Sequence, residues 1–210
     1  MTYKIAHLAD VHIKNLKYHY EYRHVFNQLY AILRKNEVDY IYIGGDIAHT
    51  KTQISPEFVQ LCSEFFTNLA EIAPLYIILG NHDGNLRNKS RQNAITPIVN
   101  ALDNPNIHLL ADAGETIVAD DLAFNVLSVF DEDNWVKPSS EDRINIAFYH
   151  GCVAGVSTDA GWVMEYGDHD VSIFAGHDFA MLGDIHKTNQ ILDEDGRVRY
   201  CGSIVQQNHG

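Results

Sequence analysis

Long apolar runs are missing from this chain. The longest, "YIYIGG" and "PLYIILG", are far shorter than the roughly 20 residues that cross a bilayer. The opening "MTYKIAHLAD" enters a strand-like run at once and shows no signal-peptide pattern. Cysteine is scarce: Cys62, Cys152 and Cys201 form an odd set without a C-x-x-C. That excludes a disulfide framework and fits reduced thiols in a cytoplasmic protein. Basic charge is also short, with 15 Lys+Arg against 28 Asp+Glu and a net charge of −13. Such a balance argues against a nucleic-acid surface spread over the whole chain. The deficit is uneven, however. Residues 1–91 carry 10 basic and 9 acidic side chains (+1), and residues 92–210 carry 5 and 19 (−14).

What is present suits a soluble globular protein. At 210 residues and 46% hydrophobic content the chain is expected to form a single domain over 1–210 with a real core. Apolar positions 22, 25, 26, 29, 32 and 33 predict a helix over 21–35. Ser55 and Pro56 cap a second helix with apolar positions 58, 61, 62, 65, 66 and 69. A shorter one is expected near 92–102. Strands are expected at 3–9, 38–45 and 74–80, so the first hundred residues read β-α-β-α-β-α, the pattern of a mainly parallel sheet. The second half is strand-rich, near 106–110, 115–119, 122–129, 144–149, 171–174, 179–182, 189–193 and 197–201. Polar connections fill 131–142 and 158–170. The fold class is therefore α/β, a two-sheet sandwich of mixed sheets flanked by helices.

Twelve histidines are many for this length, and their placement carries the chemistry. In open α/β sheets ligands sit at the carboxyl ends of the strands. Five such ends hold metal-ligating side chains: "LADVH" (Asp10, His12), "IGGDIAH" (Asp46, His49), "LGNHD" (Asn81, His82, Asp83), "FYHG" (His150) and "LGDIH" (Asp184, His186). In a locally extended Asp-x-His both side chains point the same way and reach one ion. Oxygen and imidazole donors without thiolate suit Mn²⁺, Fe²⁺, Co²⁺ or Zn²⁺, and in part Mg²⁺. Two such ions held about 3.5–4 Å apart activate water and clamp a phosphoryl group. Any one of these blocks alone reads as a turn or a capping pair; the five together do not.

These blocks resemble the calcineurin-like metallophosphoesterase superfamily, whose pattern is D-x-H, G-D, G-N-H-[DE], a lone H and G-H-x-H. Within it the chain is similar to SbcD-type DNA repair nucleases, in "GGDIAHTK", in "FAMLGDIHK" and in the closing block "YCGSIVQQNHG". The resemblance implies two divalent ions, most simply Mn²⁺. Asp10, His12 and His186 would hold one, Asn81, His150 and Asp184 the other, and Asp46 would bridge them. It implies a proton-donating His82 oriented by Asp83. For His49 two readings stand, hydrogen-bonded packing or a place beside substrate. Cys152 and His177 read as structural. The resemblance also implies a DNA substrate, an SbcC-type ATPase partner and a possible homodimer. The capping and ATPase-binding segments that usually follow the catalytic core are not expected within these residues.

The loops after the first and third blocks supply candidate phosphate contacts. Lys14 and Lys17 lie in "IKNLKYHYEYR", among three tyrosines, and Arg87, Lys89 and Arg91 in "GNLRNKSR". A small-substrate phosphodiesterase and a non-catalytic scaffold are the competing readings. Asp184 departs from the family's His-x-His. It reads either as a conservative swap towards a harder ion or as a weakened second site.

Overall fold

A computed structural model describes residues 2–157 and 161–207. Four parallel strands form the first sheet in the order β1 (Ile5–Leu8), β2 (Tyr40–Gly44), β3 (Leu75–Ile78), β4 (Ile107–Leu109). The second sheet runs β5 (Gly114–Ala119), β6 (Leu122–Leu127), β7 (Ile144–His150), β8 (Phe179–Gly183), β10 (Val198–Tyr200), β9 (Gln190–Ile191). Its centre β6-β7-β8-β10 is parallel, and the edge strands β5 and β9 are antiparallel.

Three helices cover the outer face of the first sheet: α1 (His19–Asn36), α2 (Pro56–Ala70) and α3 (Thr96–Leu102). Helix α2 forms as expected. Ser55 accepts the Phe58 amide at 3.2 Å, Pro56 occupies the first turn, and all six periodic apolar side chains are buried. Helix α1 begins two residues early, and its buried stripe is Tyr22, Phe26, Tyr30 and Leu33. Ile32, expected in the core, is 56% exposed. The apolar stripes of both helices pack on the same core as Ile41, Ile43, Leu75 and Ile77. Helix α3 starts four residues late, after a turn in which the Asn93 side chain accepts the amides of Ile95 and Thr96 at 3.0 and 2.7 Å.

The two sheets meet through aromatic side chains. Tyr42 of β2 stacks on Phe148 of β7 with ring centres 3.6 Å apart, and Tyr76, Phe124, Val126 and Ile146 fill the rest of that layer. The outer face of the second sheet is closed by Trp135, Val156 and a 3-10 turn at Val171–Phe174. That turn stands where a strand was expected. Asp170 accepts the Ser172 amide at 2.8 Å and winds the segment, leaving only Phe174 buried. Among the described residues no helix is long and apolar enough to cross a membrane. All three cysteines are free. The last three residues of the block 200–210, and residues 158–160 of the second polar connection, lie outside the described residues.

Candidate metal centre

The carboxyl ends of β1, β2, β3, β7 and β8 converge, bringing the five blocks together. Three overlapping sets of side chains offer ligand atoms within 4.8 Å of one another: Asp10, His12 and His186; His12, Asp46 and His82; Asp10, Asp46 and His150. His12 Nε2 lies 3.1 Å from His186 Nε2 and 3.4 Å from Asp46 Oδ2. On the other side His150 Nε2 lies 3.4 Å from Asp46 Oδ1, 3.4 Å from Asn81 Oδ1 and 3.7 Å from Asp184 Oδ1. Asp46 stands between the two groups.

The backbone that delivers these side chains is not the extended one expected. Asp10, His12, Asp46 and Asp184 have φ of 53°, 45°, 53° and 98°. Non-glycine residues seldom adopt this left-handed region, which costs energy and gathers at functional sites. The turn after β1 is fixed by the neighbouring loop. The amides of Asp10, His12 and Ile13 donate to the carbonyls of Gly45, Asp46 and Ile47 at 3.1, 2.9 and 2.9 Å. Buried Val11 and Ile13 anchor it in the core. Tyr22, expected among the stacking tyrosines, is buried instead, and its hydroxyl donates to the His12 carbonyl. The Asp184 amide donates to Asp10 Oδ1 at 3.1 Å, tying the first and last blocks together.

Tight approach also explains two glycines. A Cβ on Gly80 would lie 2.2 Å from Asp46 Oδ1. Gly45, at φ +88°, would place one 2.7 Å from His150 Nδ1. At that point His150 Nδ1 donates to the Gly44 carbonyl at 2.6 Å, which aims Nε2 at the carboxylates.

His82 is oriented differently from expectation. Its Nδ1 donates to the His49 carbonyl at 2.6 Å, and its amide donates to Asp46 Oδ1 at 2.8 Å. Asp83, fully buried, does not orient that ring; its two oxygens accept the amides of Ala48 and Gly80 at 2.8 and 3.0 Å. Asp83 thus pins the β2 and β3 loops to each other. The His49 ring lies 5.7 Å from that of His12 and lines a cavity of about 240 Å³ with Lys14. Lys51, which the sequence reading passed over, donates to the Asn81 carbonyl at 2.9 Å.

Of the basic residues, Lys89 lines a second cavity that opens on Asn81, His150 and Asp184. Lys17 sits 4.6 Å over the Tyr18 ring. Arg87 and Arg91 are exposed on the loop after β3. His177 bonds to the Phe174 carbonyl and Cys152 lies against Met164, neither in a ligand set.

The electrostatics of the protein part call for cations. Burial, with Asp46 and Asp184 adding to it, pushes the Asp10 carboxyl up to about 7. Asp184 is raised by burial and by Asp46. Burial opposes the charge of His150, yet Asp46, Asp10 and Asp184 hold its pKa well above the usual imidazole range. Burial would likewise raise Asp46, but His150 and His12 keep it low. Burial and the neighbouring His186, His82 and His49 lower His12 to about 3, so its ring is neutral with a lone pair to give. Carboxylates, imidazoles and an amide oxygen, with no thiolate, make a donor set that fits divalent ions.

Such a donor set, at the carboxyl ends of two facing sheets, is a candidate divalent-metal centre. The chain belongs to the calcineurin-like phosphoesterases, whose family profile matches residues 3–181. It is 38% identical over 221 aligned residues to the uncharacterized protein R555 of Acanthamoeba polyphaga mimivirus, covering 98% of this chain and 16% of that protein. The chain thus spans about a sixth of that relative's length. Solved structures similar to it include a novel archaeal phosphodiesterase (14% identity, TM-score 0.47, covering 95% of this chain and 83% of the other). Another is Pseudomonas putida nuclease MPE (19% identity, TM-score 0.36, 69% and 60% covered).

Proposed function

We propose that this chain is the catalytic core of a two-ion phosphodiesterase that cleaves DNA, in the manner of SbcD-type nucleases. The observation that carries the reading is the meeting of both ligand groups on Asp46, whose two oxygens face His12 on one side and His150 on the other at 3.4 Å. In this reading Asp10, His12 and His186 hold one divalent ion, Asn81, His150 and Asp184 the other, and Asp46 both; Mn²⁺ fits the mixed imidazole and carboxylate donors best. Bound ions would polarise the phosphoryl oxygens and make a water nucleophilic at neutral pH.

The chain's own residues do the rest. His82 is held through Nδ1 by the His49 carbonyl, which leaves Nε2 free; in the imidazolium form its Nε2–H passes the proton to the leaving oxygen as the P–O bond breaks, and the ring is left neutral. Asp83 keeps the His82 loop against the β2 loop, and His49 and Lys14 border the entry for substrate. Lys14 and Lys17 on one rim, and Arg87, Lys89 and Arg91 on the other, are proposed to take up the flanking phosphates. Backbone contacts of this kind bind DNA without reading its sequence. An SbcC-type ATPase as partner of the longer protein is part of the same proposal. A small-ester phosphodiesterase is the second reading, favoured by the acidity of the chain beyond residue 91.

The test offers the purified chain, loaded with Mn²⁺, a labelled linear duplex, a single-stranded circle and p-nitrophenyl phosphate esters. DNA cleavage that disappears in His82→Ala supports the nuclease. Turnover of the esters with DNA untouched supports the second reading and ends the first.

A further inference from the structure

The cavity of about 440 Å³ beside Asn81, His150 and Asp184 is not absorbed by the ions. Its volume falls within the range of small-molecule sites, roughly 300–1,000 Å³. Glu132, Asp133 and Asp168 line it together with Lys89. Tyr149 also lines it, fully buried and packed edge-on against Trp135 and Phe174 at 5.9 Å. The Tyr149 hydroxyl is buried and has no partner in the protein. A buried hydroxyl without a partner is costly, and it points to a group that completes it.

Two occupants are disfavoured by the same residues. A further phosphate would meet three carboxylates. A third metal ion would need ligands close together, and among the described residues no cation-competent set includes Glu132, Asp133 or Asp168. Spread-out acceptors with one hydroxyl suit a flat organic group that donates several hydrogen bonds and accepts one. Nucleobases with an exocyclic amine do this: carboxylates accept from such amines, and the tyrosine can donate to a ring nitrogen or carbonyl. Thymine would instead turn carbonyls towards the carboxylates.

We propose that this cavity is a base subsite, holding the nucleobase next to the scissile phosphate and preferring amine-bearing bases over thymine. The inference rests on the phosphodiesterase reading above.

The test uses the Mn²⁺-loaded chain and p-nitrophenyl esters of the four 2′-deoxynucleoside 5′-monophosphates, with bis(p-nitrophenyl) phosphate as the ester that lacks a base. A well-made base contact discriminates by about 1–3 kcal/mol, or roughly 5- to 150-fold. The expected result is kcat/KM for the guanosine, adenosine and cytidine esters about tenfold or more above the thymidine ester. Tyr149→Phe, and Asp168→Asn on the exposed rim, should each shrink that ratio severalfold through KM. Equal rates for the four esters, with the bis-ester turned over, overturn the base subsite alone. A ratio unchanged in both variants overturns it as well, as does loss of one bound Mn²⁺ in Asp168→Asn, which would assign the cavity to an ion. Failure to turn over any ester, the bis-ester included, defeats the phosphodiesterase reading and this inference with it.

Discussion

The two halves of the centre are built differently. On one side Asp10 and His12 sit on a turn whose left-handed residues are locked by three backbone hydrogen bonds to the β2 loop, and both side chains are buried. Two imidazoles, those of His12 and His186, serve that side beside Asp46. On the other side His150 is fixed by the Gly44 carbonyl, whereas the Asp184 side chain remains 26% exposed. Oxygen dominates there, through Asn81 and Asp184. The contrast teaches that one centre combines a rigid, nitrogen-rich half suited to borderline ions with a wetter, oxygen-rich half suited to harder ones.

The comparison is broken most completely at Asp46, whose two oxygens face His12 in one half and His150 in the other. Asp46→Asn should remove both ions and lower phosphoester turnover by more than the 10- to 100-fold typical of residues that merely support ligands. Calorimetric metal counts and ester kinetics check it. His82 separates chemistry from ion holding. His82→Asn should slow cleavage of esters with poor leaving groups by about 10²–10⁴-fold, slow p-nitrophenyl esters much less, and leave the metal count unchanged. Gly80→Ala acts through the scaffold. Its Cβ would collide with the Asp46 carboxylate at 2.2 Å, so a loss of about 1–3 kcal/mol of stability is expected, read by denaturant titration without metal. The smallest effect should come from Lys51→Ala. This change frees the Asn81 carbonyl, and it should weaken ion binding in the oxygen-rich half by up to about tenfold while sparing the other half.

The sequence was most legible where local rules and the fold agree. Each ligand block stands at the end of an apolar run, so strand ends and candidate ligands could be read together. The helix α2 stripe could be read too, because Ser55 and Pro56 fix its start. What could not be read depends on segments far apart in the chain. The left-handed turns at Asp10 and His12 exist because the β2 loop offers carbonyls far along the chain, that of Gly45 to Asp10 and that of Asp46 to His12. His82 is aimed by a backbone carbonyl, that of His49, which no residue-type pattern encodes. The family resemblance implied Asp83 as its partner, yet Asp83 binds the amides of Ala48 and Gly80. The Val171–Phe174 turn looked like a strand because its residues are β-formers, and the cap at Asp170 decided otherwise.

The unequal halves can be tested at Asp184, the position where the family pattern carries histidine. Mn²⁺ and Zn²⁺ are titrated calorimetrically into the native chain and into Asp184→His. The account predicts two Mn²⁺ ions per native chain, and a shift of the second site towards Zn²⁺ in the histidine variant. A native chain that binds one ion tightly, beside a histidine variant that binds two, would contradict it.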